Sequence, residues 1–167
     1  MNLGFSEEIS GSPSYFVEKI WASINQQPDY AGKTDYQAYK NRYKKQFGEV
    51  WEVPAVQIKP KLHTIRQGKR WQAGEPIHFT INRNSITNFQ FAPDLKCQSV
   101  QDIAFRYHSK KVFPIIYIEE KVIQLTENQD ALYQLAINDG FASLTAFFAY
   151  FNTDFVGQIV HWTEMQY

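Results

Sequence analysis

Six side chains between positions 59 and 70 carry, or can carry, positive charge: Lys59, Lys61, His63, Arg66, Lys69 and Arg70. No acid interrupts them, and Trp71 follows at once. Phe79, Phe89 and Phe91 come soon after. Cations neutralise phosphates, and aromatic faces stack on unpaired bases for about 1–3 kcal/mol each. A surface for single-stranded nucleic acid needs both, interleaved. A solvated basic loop beside an aromatic core has the same composition. The wider charge distribution sharpens the feature. Residues 33–84 hold 11 Lys/Arg against four acids, a surplus of +7, while residues 1–32 sum to −3 and residues 85–167 to −4. The whole chain, with 17 basic and 17 acidic residues, is formally neutral. A basic segment on a neutral chain attracts phosphates locally.

Other chemistries lack their residues. His63, His78, His108 and His161 are scattered without metal-ligand spacing, and no metal or other cofactor is expected. Gly68-Lys69-Arg70 lacks the upstream glycine and the Ser/Thr of a phosphate-cradling loop. No Gly-x-Ser-x-Gly elbow occurs. Cys97 is the single cysteine, so no internal disulfide can form, and it is expected to be a buried thiol. No run of about 18 apolar residues suggests a membrane span. The first residues lack a basic start followed by an apolar stretch, so the expected compartment is the cytoplasm, with no membrane partner.

These residues need a frame. At 167 residues, 44% apolar and 16% aromatic, the chain suits one domain with a filled core. Residues 2–6 suit a first strand. Ser12-Pro13 suits a helix start, and Phe16, Ile20 and Ile24 recur at helical spacing, predicting a helix over residues 13–24. Residues 25–33 read as a loop. Tyr36, Tyr39, Tyr43 and Phe47 share one face of a second helix over residues 34–47, with Gly48 at the C-terminal cap position. Such a stripe usually packs in a core; left exposed, it would make a base-stacking platform or a protein-interaction surface.

Pro54 and Pro60 bracket an extended segment, and residues 67–70 form a polar turn. Residues 75–81 alternate, with Ile77, Phe79 and Ile81 on one face and His78 and Thr80 on the other. Further strands are expected over residues 89–91 and 97–107, a hairpin over 112–119 and 122–125, and a closing strand over 157–162. Helices are expected over residues 129–138, ending at Asp139-Gly140, and after Ser143, with Leu144, Phe147, Phe148 and Phe151 on one face. Strands and helices do not alternate regularly, which argues against a doubly wound parallel sheet. The expected fold is α+β: a small, mostly antiparallel β-barrel with peripheral helices.

The order Lys61-x-x-Thr64-Ile65-Arg66 resembles the signature of the ASCH family, a branch of the PUA-like superfamily. Residues 135–144, Leu-Ala-Ile-Asn-Asp-Gly-Phe-Ala-Ser-Leu, resemble its helix–turn–helix edge, and residues 157–162, Gly-Gln-Ile-Val-His-Trp, its closing strand. The resemblance covers most of residues 61–163, plus residues 2–24. Residues 25–59 depart from compact members and read as an inserted helical segment. The resemblance implies a PUA-like barrel with a basic cleft and a role in RNA metabolism.

One branch, similar at the Lys-x-x-Thr-Ile-Arg segment, comprises bacterial acetylcytidine amidohydrolases, in which Lys, Thr and Glu are the proposed catalytic groups. Lys61 and Thr64 match two positions, and Asp139, a shorter carboxylate, falls at the third. A threonine hydroxyl becomes a nucleophile when a base takes its proton. A neutral lysine can do so, and a carboxylate can pass protons to the leaving amine. Alternatively, Lys61 and Asp139 form only a structural ion pair. The expected activity is therefore binding of RNA, other single-stranded nucleic acid, or a nucleotide or nucleoside. Lys59, Lys61, His63, Arg66, Lys69, Arg70 and Trp71 would supply the contacts. The alternatives are amide hydrolysis by Lys61, Thr64 and Asp139, and a protein-interaction module.

Overall fold

A computed structural model of the chain describes residues 1–28, 36–49, 58–82, 85–108 and 113–167. The expectations that touch residues 29–35, 50–57 and 112, among them the start of the Tyr-rich helix and the extended segment at Pro54, lie outside the described residues. The chain is α+β and divides into two compact units interleaved along the sequence. The first comprises residues 1–61 and 75–96, the second residues 62–74 and 97–167.

In the first unit, strand β1 (Asn2–Phe5) runs parallel to β5 (Pro76–Ile81). The other edge of β5 pairs antiparallel with β6 (Phe89–Gln90) and β7 (Leu95–Lys96). The alternation in β5 is realised: Ile77, Phe79 and Ile81 are buried. Helix α1 (Phe16–Gln26) buries Ile20, Trp21 and Ile24, and the Trp21 indole N–H donates to the Phe91 carbonyl at 2.9 Å. The Phe5 ring packs about 6 Å from those of Phe16, Phe79 and Phe91, and Phe79 packs 6.0 Å from Phe91. Full burial of each such side chain is worth about 1.5–3 kcal/mol.

Helix α1 starts later than its sequence predicts. Ser12-Pro13 is not its cap but strand β3 (Ser12–Pro13), paired with β2 (Glu8–Ile9). Between them Ser10 and Gly11 both take positive φ, as a tight two-residue hairpin turn requires. Ser14 takes over near the helix start, its hydroxyl accepting from the Phe16 N–H at 3.2 Å. Helix α2 (Tyr36–Phe47) ends at Gly48, whose positive φ suits a C-terminal cap. Its aromatic stripe packs on its own unit: Tyr36 and Tyr39 against Trp21, Tyr43 and Phe47 against Phe89.

The second unit is built on one antiparallel sheet. Its order is β10 (Lys121–Ile123), β9 (Ile115–Ile118), β8 (Ser99–Arg106), β11 (Phe155–His161), β4 (His63–Gln67). Helix α3 (Gln129–Asn138) has the predicted bounds. Helix α4 (Leu144–Tyr150) is capped by Ser143, whose hydroxyl accepts from the Ala146 N–H at 3.1 Å. Phe147 and Phe151 pack on Phe105 of β8. Among the described residues no sheet closes on itself: β10 and β4 are the unpaired ends of the five-stranded order.

Candidate functional site

His63–Gln67, within the basic run, becomes an edge strand in the second unit. Strand β4 pairs only with β11 among the described residues, with His63 opposite His161, Thr64 opposite Val160 and Arg66 opposite Gln158. Alternation puts Thr64 and Arg66 on one face and His63 and Ile65 on the other. Gly157 permits this approach: a Cβ there would stand 2.1 Å from the Arg66 carbonyl oxygen.

The end of α3 meets this strand. The Leu62 N–H donates to the Asn138 carbonyl at 2.8 Å, and the Ile65 N–H to Asp139 Oδ1 at 3.2 Å. Asp139 is 3% exposed and sits at the C-terminal cap of α3. A carboxylate is disfavoured at that negative end of a helix, and burial adds to the cost. The Ile65 amide holds it against the backbone of β4, where Thr64 is itself 4% exposed. Gly140 makes the arrangement possible by turning the chain at φ +89°.

His63, fully buried, faces two groups. Its Nδ1 is 3.8 Å from Asp139 Oδ1, and its Nε2 is 2.7 Å from the Tyr167 hydroxyl. Asn138 Nδ2 donates to the same hydroxyl at 3.1 Å. The phenol can donate its one hydrogen to His63 Nε2, an arrangement that puts the ring hydrogen on Nδ1, on the Asp139 side. Burial raises the Tyr167 pKa, so the phenol stays protonated; the Asn138 hydrogen bond acts against that shift and Asp139 with it. The Tyr167 backbone is clamped by Gln101, whose amide donates to its carbonyl and accepts from its N–H, both at 2.9 Å. His161 lies beside this cluster, with its ring 5.3 Å from that of His63. Neither of its nitrogens has a hydrogen-bond partner among the described residues, and burial lowers its pKa to about 4.

No family model, curated protein or solved structure matches the chain. Its residues alone therefore carry the functional argument.

The remaining candidates are distributed unevenly. Lys61 falls in the first unit, with 1% exposure and its Nζ 4.6 Å from the Phe16 ring centroid. Lys59, Lys69 and Arg70 are exposed, and Lys69 is hydrogen-bonded to Asp102. Arg66 is half-buried. Trp71, expected to offer a stacking face, is instead 6% exposed. Its backbone is held by Gln158, which accepts from the Trp71 N–H at 3.0 Å and donates to its carbonyl at 3.3 Å. His63 likewise is inside, hydrogen-bonded to Tyr167. The basic run thus separates into a few open cations and a buried polar cluster. Among the described residues no group of three or more His, Cys, Asp or Glu could hold a metal, and no helix is long and apolar enough to cross a membrane.

Sequence reasoning missed Tyr167, Asn138 and Lys19. Lys19 donates to the Ser14 carbonyl at 2.8 Å and lies 5.7 Å from the Phe16 ring, and burial lowers its pKa against the raising effect of Glu18. The position of Lys19 on the expected first helix was the only available signal. A cavity of about 780 Å³ in the same unit is lined by Glu7, Glu8, Glu18 and Glu49 with Tyr15 and Tyr43. Its charge is opposite to that of a phosphate site.

Proposed function

We propose that this chain binds a nucleotide or nucleoside, free or presented by single-stranded RNA, and that Thr64 and Arg66 of β4 contact it. On this reading the chain is a divergent ASCH protein with a PUA-like fold. The observation that carries the proposal is the burial of Thr64 and Asp139, at 4% and 3% exposure, beside one edge strand. Polar groups are costly to bury, and a strand that needed only packing would use apolar residues there. With Trp71 and His63 inside, the exposed cations suit one or two phosphates better than a long strand.

The test is fluorescence titration with cytidine, cytidine monophosphate and short RNA and DNA at low salt. The expected result is binding that weakens about tenfold or more in Arg66→Ala. Absent binding, or binding unchanged in the folded variant, overturns the proposal.

A second reading, amide hydrolysis of an acylated nucleoside, is favoured by the Ile65–Asp139 hydrogen bond, which holds a carboxylate against the backbone of β4, one residue from Thr64 in the chain. In that reaction the Thr64 oxygen, losing its proton to a base, attacks the acyl carbonyl. The nucleoside amine leaves with a proton, and water then releases the acid and restores the hydroxyl. Turnover of acetylcytidine, abolished by Thr64→Val, is the expected result. Failure to turn over a panel of acylated nucleosides removes this reading and leaves the binding proposal standing.

A further inference from the structure

The outer face of the first unit's sheet holds a second polar site, independent of the Thr64 region. A cavity of about 300 Å³ is lined by Asn2 of β1, His78 and Thr80 of β5, Gln90 of β6, and Asn88 just before it. Register brings them together: Asn2 is opposite His78, and Thr80 lies between Gly4 and Gln90. Gly4 places no side chain on its side of Thr80. Thr80 is 4% exposed, and its hydroxyl has no hydrogen-bond partner among the described residues. A buried hydroxyl without a partner costs about 1–3 kcal/mol, and a χ1 rotation that strands tolerate can turn it toward the cavity it lines.

The neighbouring groups are already oriented. Asp94 Oδ1 lies 2.7 Å from His78 Nδ1 and accepts from Gln90 Nε2 at 2.7 Å. Gln90 Nε2 also donates to the Ala92 carbonyl. The Gln90 amide hydrogens are thus committed, and its oxygen is left to accept. The contact with Asp94 occupies Nδ1 of His78 and leaves Nε2 for the cavity. Asn2 and Asn88 supply amides that both donate and accept, and Thr80 a hydroxyl that does the same. The lining contains no Lys or Arg for a phosphate and no Phe, Tyr or Trp ring on which a base could stack, and its one imidazole, His78, is held at Nδ1 by Asp94. Alternating donors and acceptors in a space at the small end of ligand pockets match the hydroxyls of one sugar ring.

We propose that Asn2, His78, Thr80, Asn88 and Gln90 bind a single sugar ring through its vicinal hydroxyls. The ring can be a free monosaccharide or the ribose of a ribonucleoside. Backbone amide shifts in nitrogen-labelled protein test this, with ribose, glucose, cytidine and 2′-deoxycytidine as probes at about 10 mM, suited to millimolar affinity. Shifts at His78, Thr80 and Gln90 are expected, lost in Thr80→Val, which keeps side-chain shape. Shifts from cytidine but not from 2′-deoxycytidine identify ribose as the source; shifts from ribose or glucose alone identify a free sugar. Asn88→Ala, at an exposed position, is the second variant should Thr80→Val not fold, and about tenfold weaker binding is expected from it. No shift with any probe, or shifts unchanged in the folded variant, overturns the proposal.

Discussion

The Nε2 nitrogen of His63 lies 2.7 Å from the phenol oxygen of Tyr167, 104 residues further along the chain. This bond fixes the imidazole whose other nitrogen faces Asp139. Tyr167→Phe keeps the ring contacts with His63 and His161 but leaves His63 Nε2 and Asn138 Nδ2 without this partner. Urea denaturation is expected to show a loss of about 1–3 kcal/mol. Nitrogen shifts of His63 are expected to move toward a mixture of tautomers; unchanged shifts would refute the assigned hydrogen.

Asp139 separates structure from chemistry. Asp139→Asn retains an oxygen to accept from the Ile65 N–H, so stability should change little. Asp139→Ala leaves that buried amide unpaired, at about 1–3 kcal/mol. If the carboxylate moves protons, Asp139→Asn is expected to abolish acetylcytidine turnover with the fold intact. A fully active Asn variant would assign Asp139 a purely structural role.

His161 predicts an acid limb. Its folded pKa, near 4, is below the usual 6.5, so the native state holds it neutral and the unfolded state takes up a proton first. Stability from this group is complete above about pH 6.5 and is lost as pH falls from there toward 4, by about 3 kcal/mol in total. The urea midpoint measured between pH 7 and 4 should fall less steeply in His161→Gln than in the parent. Equal slopes would contradict the prediction.

Gly157→Ala puts a Cβ 2.1 Å from the Arg66 carbonyl oxygen, and the Phe155 ring is also within 3 Å. The clash is with backbone, so β4 and β11 must separate. A cost of about 3 kcal/mol, or roughly 6–12 °C in Tm, is expected by thermal denaturation. Nucleotide affinity should fall with it, because Thr64 and Arg66 ride on the displaced strand.

What the sequence disclosed depended on how local the determinant was. Helix α3 was legible because its apolar spacing and the Asp139-Gly140 stop lie within a dozen residues. Strand β5 was legible through its period-two alternation. The Ser12-Pro13 pair misled because a helix cap and a hairpin strand use the same residues; the Ser10-Gly11 turn just before it was the better signal. At the site, residue types were readable but their sides were not. A run of cations says nothing about which members face inward, and His63 and Trp71 proved buried. Tyr167 gave no sign, since its partners His63, Gln101 and Asn138 are distant in sequence.

Strand β4 also has a history during synthesis. Its one partner strand among the described residues, β11, begins about 90 residues later, an interval of roughly 5–20 s on a translating ribosome. Over that time the nascent His-Thr-Ile segment carries an open edge of the kind that templates aggregation. Lys59, Lys61, Arg66, Lys69 and Arg70 flank it, and like charges so placed would repel other nascent copies until β11 emerges. The same cations thus have work to do before any ligand arrives, and replacing them should lower the soluble yield of newly made chain even where the finished fold is unharmed.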